Sequence, residues 1–211
     1  MALAASCPRC TTPLEGDGAE FTCARHGSVV PLWRSATSDY TTFAEVVRRA
    51  AELPTYLPWP MSPGWSIADF GCVAADQGPA LATVTTTTGA SALDGEVEVT
   101  VVTEEPGVGL GSRVAGAATA DPGVAVGQGA ASIRVRVDAR PVPMWVLPSR
   151  DDDDLLALAA FVGEAGGRWL WLVMRPASAA LLLRDDWLLA DASGFGPEAI
   201  EMPFGGPPPA W

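Results

Sequence analysis

Cys7-Pro-Arg-Cys10, then twelve residues, then Cys23-Ala-Arg-His26, gathers three of the four cysteines and the sole histidine into the first 26 positions. Zinc takes four soft or borderline ligands at the corners of a tetrahedron, and two tight CxxC-like turns each present two of them. Two such knuckles joined by a short hairpin describe a Cys3His zinc ribbon, and Pro8 and Gly27 suit the turns. The spacing therefore predicts a metal site of Cys7, Cys10, Cys23 and His26. All four corners would be protein, which leaves no position for a reacting water, so the expected zinc is structural. A redox CxxC pair needs a strand before it and a helix after it. Here Thr11, Thr12, Pro13 and Gly16 read as loop and hairpin. A disulfide framework suits an exported chain, and the residues before Cys7 carry no export signal, so the chain is expected in the cytoplasm with its thiols reduced.

The 211 residues allow one main domain beside the ribbon, and 48% hydrophobic content with eight tryptophans is enough for a core. The net charge of −12 is spread unevenly. Arg9, Arg25 and Arg34 cancel Glu15, Asp17 and Glu20 in residues 1–38, so the acidity lies beyond them. Binding of phosphate chains needs clustered Lys and Arg, and the expectation is against a nucleic-acid surface. The chain contains no lysine. That removes Schiff-base chemistry and a phosphate-loop lysine. With His26 on the metal, a Ser-His-Asp or Cys-His engine has no base. No run reaches the roughly 18 apolar residues that would span a bilayer as a helix.

Outward from the knuckles, Val29–Trp33 reads as the last ribbon strand. A helix follows, with Thr42 and Glu45 as a capping box, Phe43, Val46, Val47, Ala50 and Leu53 on its apolar face, and Pro54 as its stop. Arg48 and Arg49 suit the solvent side of its last turns. From Ile67 the pattern is one of strands: 67–74, 80–87, 96–103, 132–137, 143–147, 169–175, 179–183 and 187–191, between Gly, Pro or Asp turns. A second helix is expected after Asp151–Asp154, through Leu155, Leu156, Leu158, Ala159 and Val162, and a tight hairpin around Asp185 and Asp186. The fold class is then α+β: a zinc ribbon over 1–38, a mostly antiparallel sheet domain with about two helices over 39–204, and a mobile Pro/Gly tail over 205–211.

Three places beyond the ribbon invite a functional reading. In Glu104-Glu-Pro-Gly-Val-Gly-Leu-Gly-Ser-Arg113, a glycine turn after a strand can bare backbone N–H groups to a pyrophosphate. Gly107, Gly109 and Gly111 would form that cradle and Arg113 would attend it. The turn is similar in spirit to the Gly-x-Gly turn with which one large family of acetyltransferases holds coenzyme A, although those enzymes place Gln or Arg where Glu104 stands. The plain alternative is a turn between strands. The loop Leu57-Pro-Trp-Pro-Met-Ser-Pro-Gly-Trp65 offers Trp59 and Trp65 as a partner surface, or as caps on the core. Asp151–Asp154 could hold Mg²⁺ or offset a helix dipole. Glu104 with Glu105, and Asp185 with Asp186, are sequence neighbours that a strand would point to opposite faces, so neither is a ready acid/base pair. Cys72 reads as a buried strand thiol. Trp169 and Trp171 share one strand face.

CPRC at 7–10, CARHG at 23–27, LPWPMSPGW at 57–65, EEPGVGLG at 104–111, PVPMW at 141–145 and EAGGRWLWLVMRP at 164–176, in that order, resemble an uncharacterised actinobacterial zinc-ribbon family, a domain of unknown function. The resemblance spans nearly the whole chain and implies a cytoplasmic protein of unassigned activity. Such sequences sometimes carry the label phosphotransacetylase, but this chain is shorter than those enzymes and has none of their motifs. Two functions are compatible with the residues. One is a non-enzymatic adaptor or regulatory module that binds a protein partner through the ribbon or the Pro/Trp loop. The other is a small acyl-CoA or phosphometabolite binding protein, or acyltransferase, built on Gly107–Gly111.

Overall fold

The computed structural model describes residues 3–18, 20–124, 126–148, 157–183, 187–209 and 211. The ribbon region opens with β1 (Ala4–Ser6), β2 (Leu14–Asp17), β3 (Glu20–Cys23), β4 (Gly27–Val29) and β5 (Leu32–Arg34). The single strand expected at 29–33 is thus two, broken at Val30-Pro31. Pro31 has no N–H to continue a ladder, although its carbonyl accepts from Ala74 N at 3.2 Å. Strands β2, β3 and β4 form a small antiparallel sheet of their own. Strands β1 and β5 do not belong to it. They pair with each other and join the large sheet, so residues 1–38, expected as a separate ribbon, are woven into the main body at both ends.

Helix α1 (Tyr40–Ala50) follows, and its cap differs from the expected one. Asp39 is the N-cap: its Oδ1 accepts from Thr42 N at 3.0 Å. Thr42 lies inside the first turn, and Glu45 instead pairs with Arg48 at 2.6 Å. Phe43, Val46 and Ala50 are buried, as the 3.6-residue spacing requires. Arg49 is not a plain solvent residue, because its guanidinium lies 4.4 Å over the Trp33 ring and reaches Asp76 at 3.3 Å.

The remaining elements are β6 (Tyr56–Pro58), β7 (Ser66–Ala74), β8 (Ala80–Ser91), β9 (Gly95–Glu104), α2 (Leu110–Ala115), β10 (Ile133–Val137), β11 (Arg140–Leu147), β12 (Ala159–Ala165), β13 (Arg168–Arg175) and β14 (Leu188–Asp191). Eleven strands make one sheet in the order β1-β5-β7-β8-β9-β13-β12-β11-β10-β14-β6. Its ladders are antiparallel except β10 with β14. The fold is mostly sheet with few helices. The sheet curls: Thr83 and Thr85 of β8 donate from their hydroxyls to the carbonyls of Pro54 and Tyr56, at 2.7 and 2.5 Å, and hold β6 across the sheet's middle.

Alternation along the strands sorts the core into layers. Val97, Val99 and Val101 of β9, with Leu170, Leu172 and Met174 of β13, face the curled interior. Val84, Val102, Trp171 and Val173 face the other way, under Leu110 and Val114 of α2. Helix α1 covers Ile67, Phe70 and Cys72 at the other end.

Two expected elements are replaced. Ala159–Ala165 is a strand and not the second helix, while Asp151–Asp154, Leu155 and Leu156 lie outside the described residues. Phe161 packs into the curled interior while Ala160 and Val162 pack outside. A strand covered on both faces reads as a continuous apolar run, which periodicity cannot tell from a helix. Ala177–Leu182 is a 3-10 helix in place of the strand expected at 179–183, because its alanines are poor strand formers and Ala179 fits fully buried beside β13. The turn of the expected hairpin, Asp185 and Asp186, is outside the described residues. Strand β14 pairs with β10 and β6.

Of the 205–211 tail, expected to be mobile, Gly205 is bonded to the sheet. Gly205 N donates to Ile67 O at 3.0 Å and its carbonyl accepts from Ser66 Oγ at 2.8 Å. Trp211 ends under the Arg34 guanidinium, 4.1 Å from its ring centre.

Candidate metal centre

Three of the four side chains arrive from element ends, and Cys10 from the loop before β2. Cys7 follows directly on β1, Cys23 closes β3, and His26 stands in the turn before β4. His26 N donates to Cys23 O at 3.2 Å, closing that turn, and Gly27 adopts φ +69°, the left-handed region that favours glycine. In the other knuckle Arg9 N points at Cys7 Sγ at 3.4 Å. The ligand atoms of Cys7, Cys10, Cys23 and His26 all lie within 4.8 Å of one another. His26 offers Nδ1, at 3.5 Å from Cys7 Sγ, 3.5 Å from Cys10 Sγ and 3.6 Å from Cys23 Sγ, and Cys10 Sγ is 3.7 Å from Cys23 Sγ. A tetrahedral ion bonded at about 2.3 Å to sulfur and about 2.0–2.1 Å to nitrogen would have S–S edges of about 3.8 Å and S–N edges of about 3.6 Å. The four side chains therefore stand at the corners that a four-coordinate metal ion needs. Burial pushes the Cys7 thiol up to about 11, so without a metal its thiolate would be costly.

Two arginines tie this centre to the glycine loop. Arg9, between the first two cysteines, donates to the carbonyls of Val108 (2.9 Å) and Gly107. Arg113, on α2, donates to the carbonyl of Cys7 at 2.6 Å. Three thiolates, a neutral imidazole and a divalent ion sum to −1, and two guanidiniums beside them suit that charge.

Several amides of the expected cradle are engaged within the protein. Gly107 N donates to Asp121 Oδ1 at 2.7 Å, Val108 N to Glu105 O at 3.4 Å, and Leu110 N to Glu104 Oε2 at 2.8 Å. Glu104, fully buried, thus takes the place at the start of α2 that an anion would fill. Burial pushes its carboxyl up to about 7, against the pull of the Gly111 and Leu110 amides. Gly107 and Gly109 have φ of +86° and +84°. Gly111 is different: a Cβ there would lie 2.3 Å from the Trp171 indole. Its bareness lets α2 sit flat on Trp171. Glu105 pairs with Arg168 at 2.8 Å.

In the Pro/Trp loop, Trp65 is only 8% exposed and covers Gly89, whose missing side chain makes room for the ring. Trp59 is half-buried, with its ring centre 4.5 Å from that of Phe195. The two still wall a hollow of about 130 Å³ together with Pro58, Met61 and Trp187. Trp187 was not singled out from sequence; it enters through the β14 pairing, which no local signal announces. Cys72 is buried and its thiol is pushed up to about 12, so it is an unreactive core group. Trp169 and Trp171 do share a face: Trp171 packs under α2, and Trp169 Nε1 donates to Asp121 Oδ1 at 3.1 Å.

Sequence reasoning also missed the pair of Arg34 with Asp69, joined at 2.8 and 3.3 Å. Its members are 35 positions apart with no shared motif. Burial pushes the Asp69 carboxyl up to about 6 even with Arg34 beside it.

A family model described as a family of unknown function (DUF6758) matches residues 1–211. No curated protein and no solved structure matches the chain.

Proposed function

The chain belongs to DUF6758, and from that premise we propose that it is a zinc-stapled, non-enzymatic adaptor or regulatory module that binds another protein. The observation that carries this reading is the closed tetrad of Cys7, Cys10, Cys23 and His26, with its near-tetrahedral edges. Three thiolates and an imidazole are a donor set that suits zinc. A metal enclosed by four protein ligands organises the chain and offers no coordination site to a substrate. The lack of lysine, the commitment of the only histidine and the burial of Cys72 leave few groups for catalysis. The acidic balance favours a protein partner over nucleic acid, and reduced thiols fit the cytoplasm of an actinobacterium. The ribbon, whose Arg25 is exposed, and the hollow between Trp59 and Trp187 are the surfaces offered. The coenzyme A reading is disfavoured in the loop, because the amides of Gly107, Val108 and Leu110 already have acceptors.

Metal analysis of purified protein should return one zinc per chain, lost in Cys23→Ser. Crosslinking in native cytoplasm should then capture a stoichiometric partner with the intact chain and lose it with Trp59→Ala or Arg25→Glu. Point variants are chosen because deleting residues 1–38 would strip β1 and β5 from the large sheet. A chain that captures nothing, yet gains heat stability from a coenzyme A ester or a nucleotide, would overturn the proposal.

A further inference from the structure

Residues 205–209 and Trp211 lie across the outer sheet face as a strap fastened at two ends. At one end Phe204 packs its ring 5.5 Å from that of Phe43 and 6.2 Å from that of Phe70, and Gly205 bonds to Ile67 and Ser66. At the other end the Trp211 ring lies under two guanidiniums, Arg34 at 4.1 Å and Arg113 at 5.2 Å. Between them the strap rides close, with Gly206 so near Thr88 Oγ1 that a Cβ would fall at 2.4 Å. Pro208 roofs a cavity of about 140 Å³ walled by Arg34, Ser35, Ser38 and Asp69. Among the described residues, no backbone hydrogen bond is made beyond Gly205.

The two arginines are held before any aromatic ring arrives. Asp69 grips Arg34 with both oxygens, and the Cys7 carbonyl holds Arg113. The receptor half of the contact is preorganised. The strap is preorganised too, since three successive prolines fix an extended backbone and lose little entropy on docking. Yet the fit is incomplete, because Trp211 Nε1 and Arg113 Nε are both buried without a hydrogen-bond partner among the described residues. Leaving such groups unpaired is costly. A seven-residue segment of the same chain also enjoys a high effective concentration, so it can hold this place with weak intrinsic affinity.

We propose that the groove under residues 205–211 is a docking site for a proline-rich segment of a partner protein that carries an aromatic residue and an acidic one, and that the chain's own tail fills it in cis. The aromatic ring takes the place of Trp211 between Arg34 and Arg113, the prolines follow the path of Pro207–Pro209, and the carboxylate satisfies Arg113 Nε. This deepens the protein-binding reading by giving it a second surface and a chemical class of partner.

The test uses the zinc-loaded full chain and a fluorescein-labelled peptide with the sequence of Pro203–Trp211, followed by anisotropy. Trp211→Ala weakens the strap and leaves the groove, so it should bind the peptide at least tenfold more tightly than the unaltered chain. Adding Arg34→Lys keeps the ion pair with Asp69 but removes the planar face, and should weaken binding at least tenfold while the melting temperature stays within a few degrees. A peptide with alanine in place of its tryptophan should not bind. Equal binding by the unaltered chain and Trp211→Ala, no binding by Trp211→Ala at millimolar peptide, or full binding with Arg34→Lys would each overturn the proposal. The assay needs neither the native partner nor the Trp59 hollow, so its failure would leave the adaptor reading standing, and the reverse also holds.

Discussion

Replacing Gly111 by alanine separates a glycine kept for phosphate contact from one kept for packing. In an exposed helix the change would stabilise by about 1 kcal/mol, since glycine loses more backbone freedom. Here the new methyl would meet Cδ1, Nε1 and Cδ2 of Trp171 at 2.3–2.4 Å. Carbon contacts are comfortable at about 3.5–4.0 Å, so either α2 or the indole must retreat by more than 1 Å. Trp171 is fully buried, and Glu104 pins the start of α2 through Leu110 N. Overpacking of this kind costs about 1–3 kcal/mol, with the larger values for rigid neighbours. The packing loss outweighs the propensity gain, and we expect Gly111→Ala to destabilise by about 2 kcal/mol. For a chain of this size that lowers Tm by about 4–8 °C. Urea unfolding followed by tryptophan fluorescence measures it. Gly116→Ala is the control: at φ +66° with open space around it, it costs only the left-handed strain of about 1–2 kcal/mol. Trp171→Phe, placed in the Gly111→Ala background, should recover part of the loss by freeing room, a coupling that a double-mutant cycle reads directly. A Gly111→Ala protein as stable as the original, or one not rescued by Trp171→Phe, would refute the seating of α2 on that ring.

Removal of the metal by a strong chelator should melt the knuckles, because such sites draw folding free energy from the bound ion. Since Arg9 and Arg113 join the knuckle to the loop and α2, hydrogen exchange should quicken at Leu110 and Gly111 as well as in residues 7–29; an effect confined to 7–29 would contradict that link. Stability of the metal-loaded protein should also fall as pH rises. Burial lifts the folded-state carboxyls of Asp69 to about 6 and Glu104 to about 7, above their unfolded values, so their contribution is complete below about pH 4 and is lost as pH climbs through those two values. Measured against Glu104→Gln by urea unfolding, the unaltered chain should lose about 2–3 kcal/mol between pH 5 and pH 8. A difference that does not change with pH would show that Glu104 is ionised throughout.

How much of this was readable from the chain depended on distance. The metal tetrad is a local pattern of turns, and all four ligands meet as their spacing requires. Helix α1 and the strands around 67–74, 96–103 and 169–175 carry periodicities that survive in the fold. Strand β12 does not, since covering on both faces erases the alternation that marks a strand. The glycines of 104–111 suggest a phosphate cradle or a plain turn, but the meaning of Gly111 lies in Trp171, sixty residues on, which no local pattern connects. Pro207–Pro209 read as a loose end because the arginines that receive Trp211 sit at positions 34 and 113.

The place of β1 and β5 in the large sheet has a consequence for the protein without its metal. Strand β5, with β1 on its far side, covers one edge of β7, a nine-residue strand whose residues are buried from Ile67 to Ala74. Should the knuckles loosen and draw these short strands away, β7 would present an open row of N–H and C=O groups flanked by apolar side chains, a template for strand addition between molecules. Loss of a metal ion from the four side chains would then show itself as self-association of the chain. An ion held at the knuckles would guard that strand edge as well as the fold.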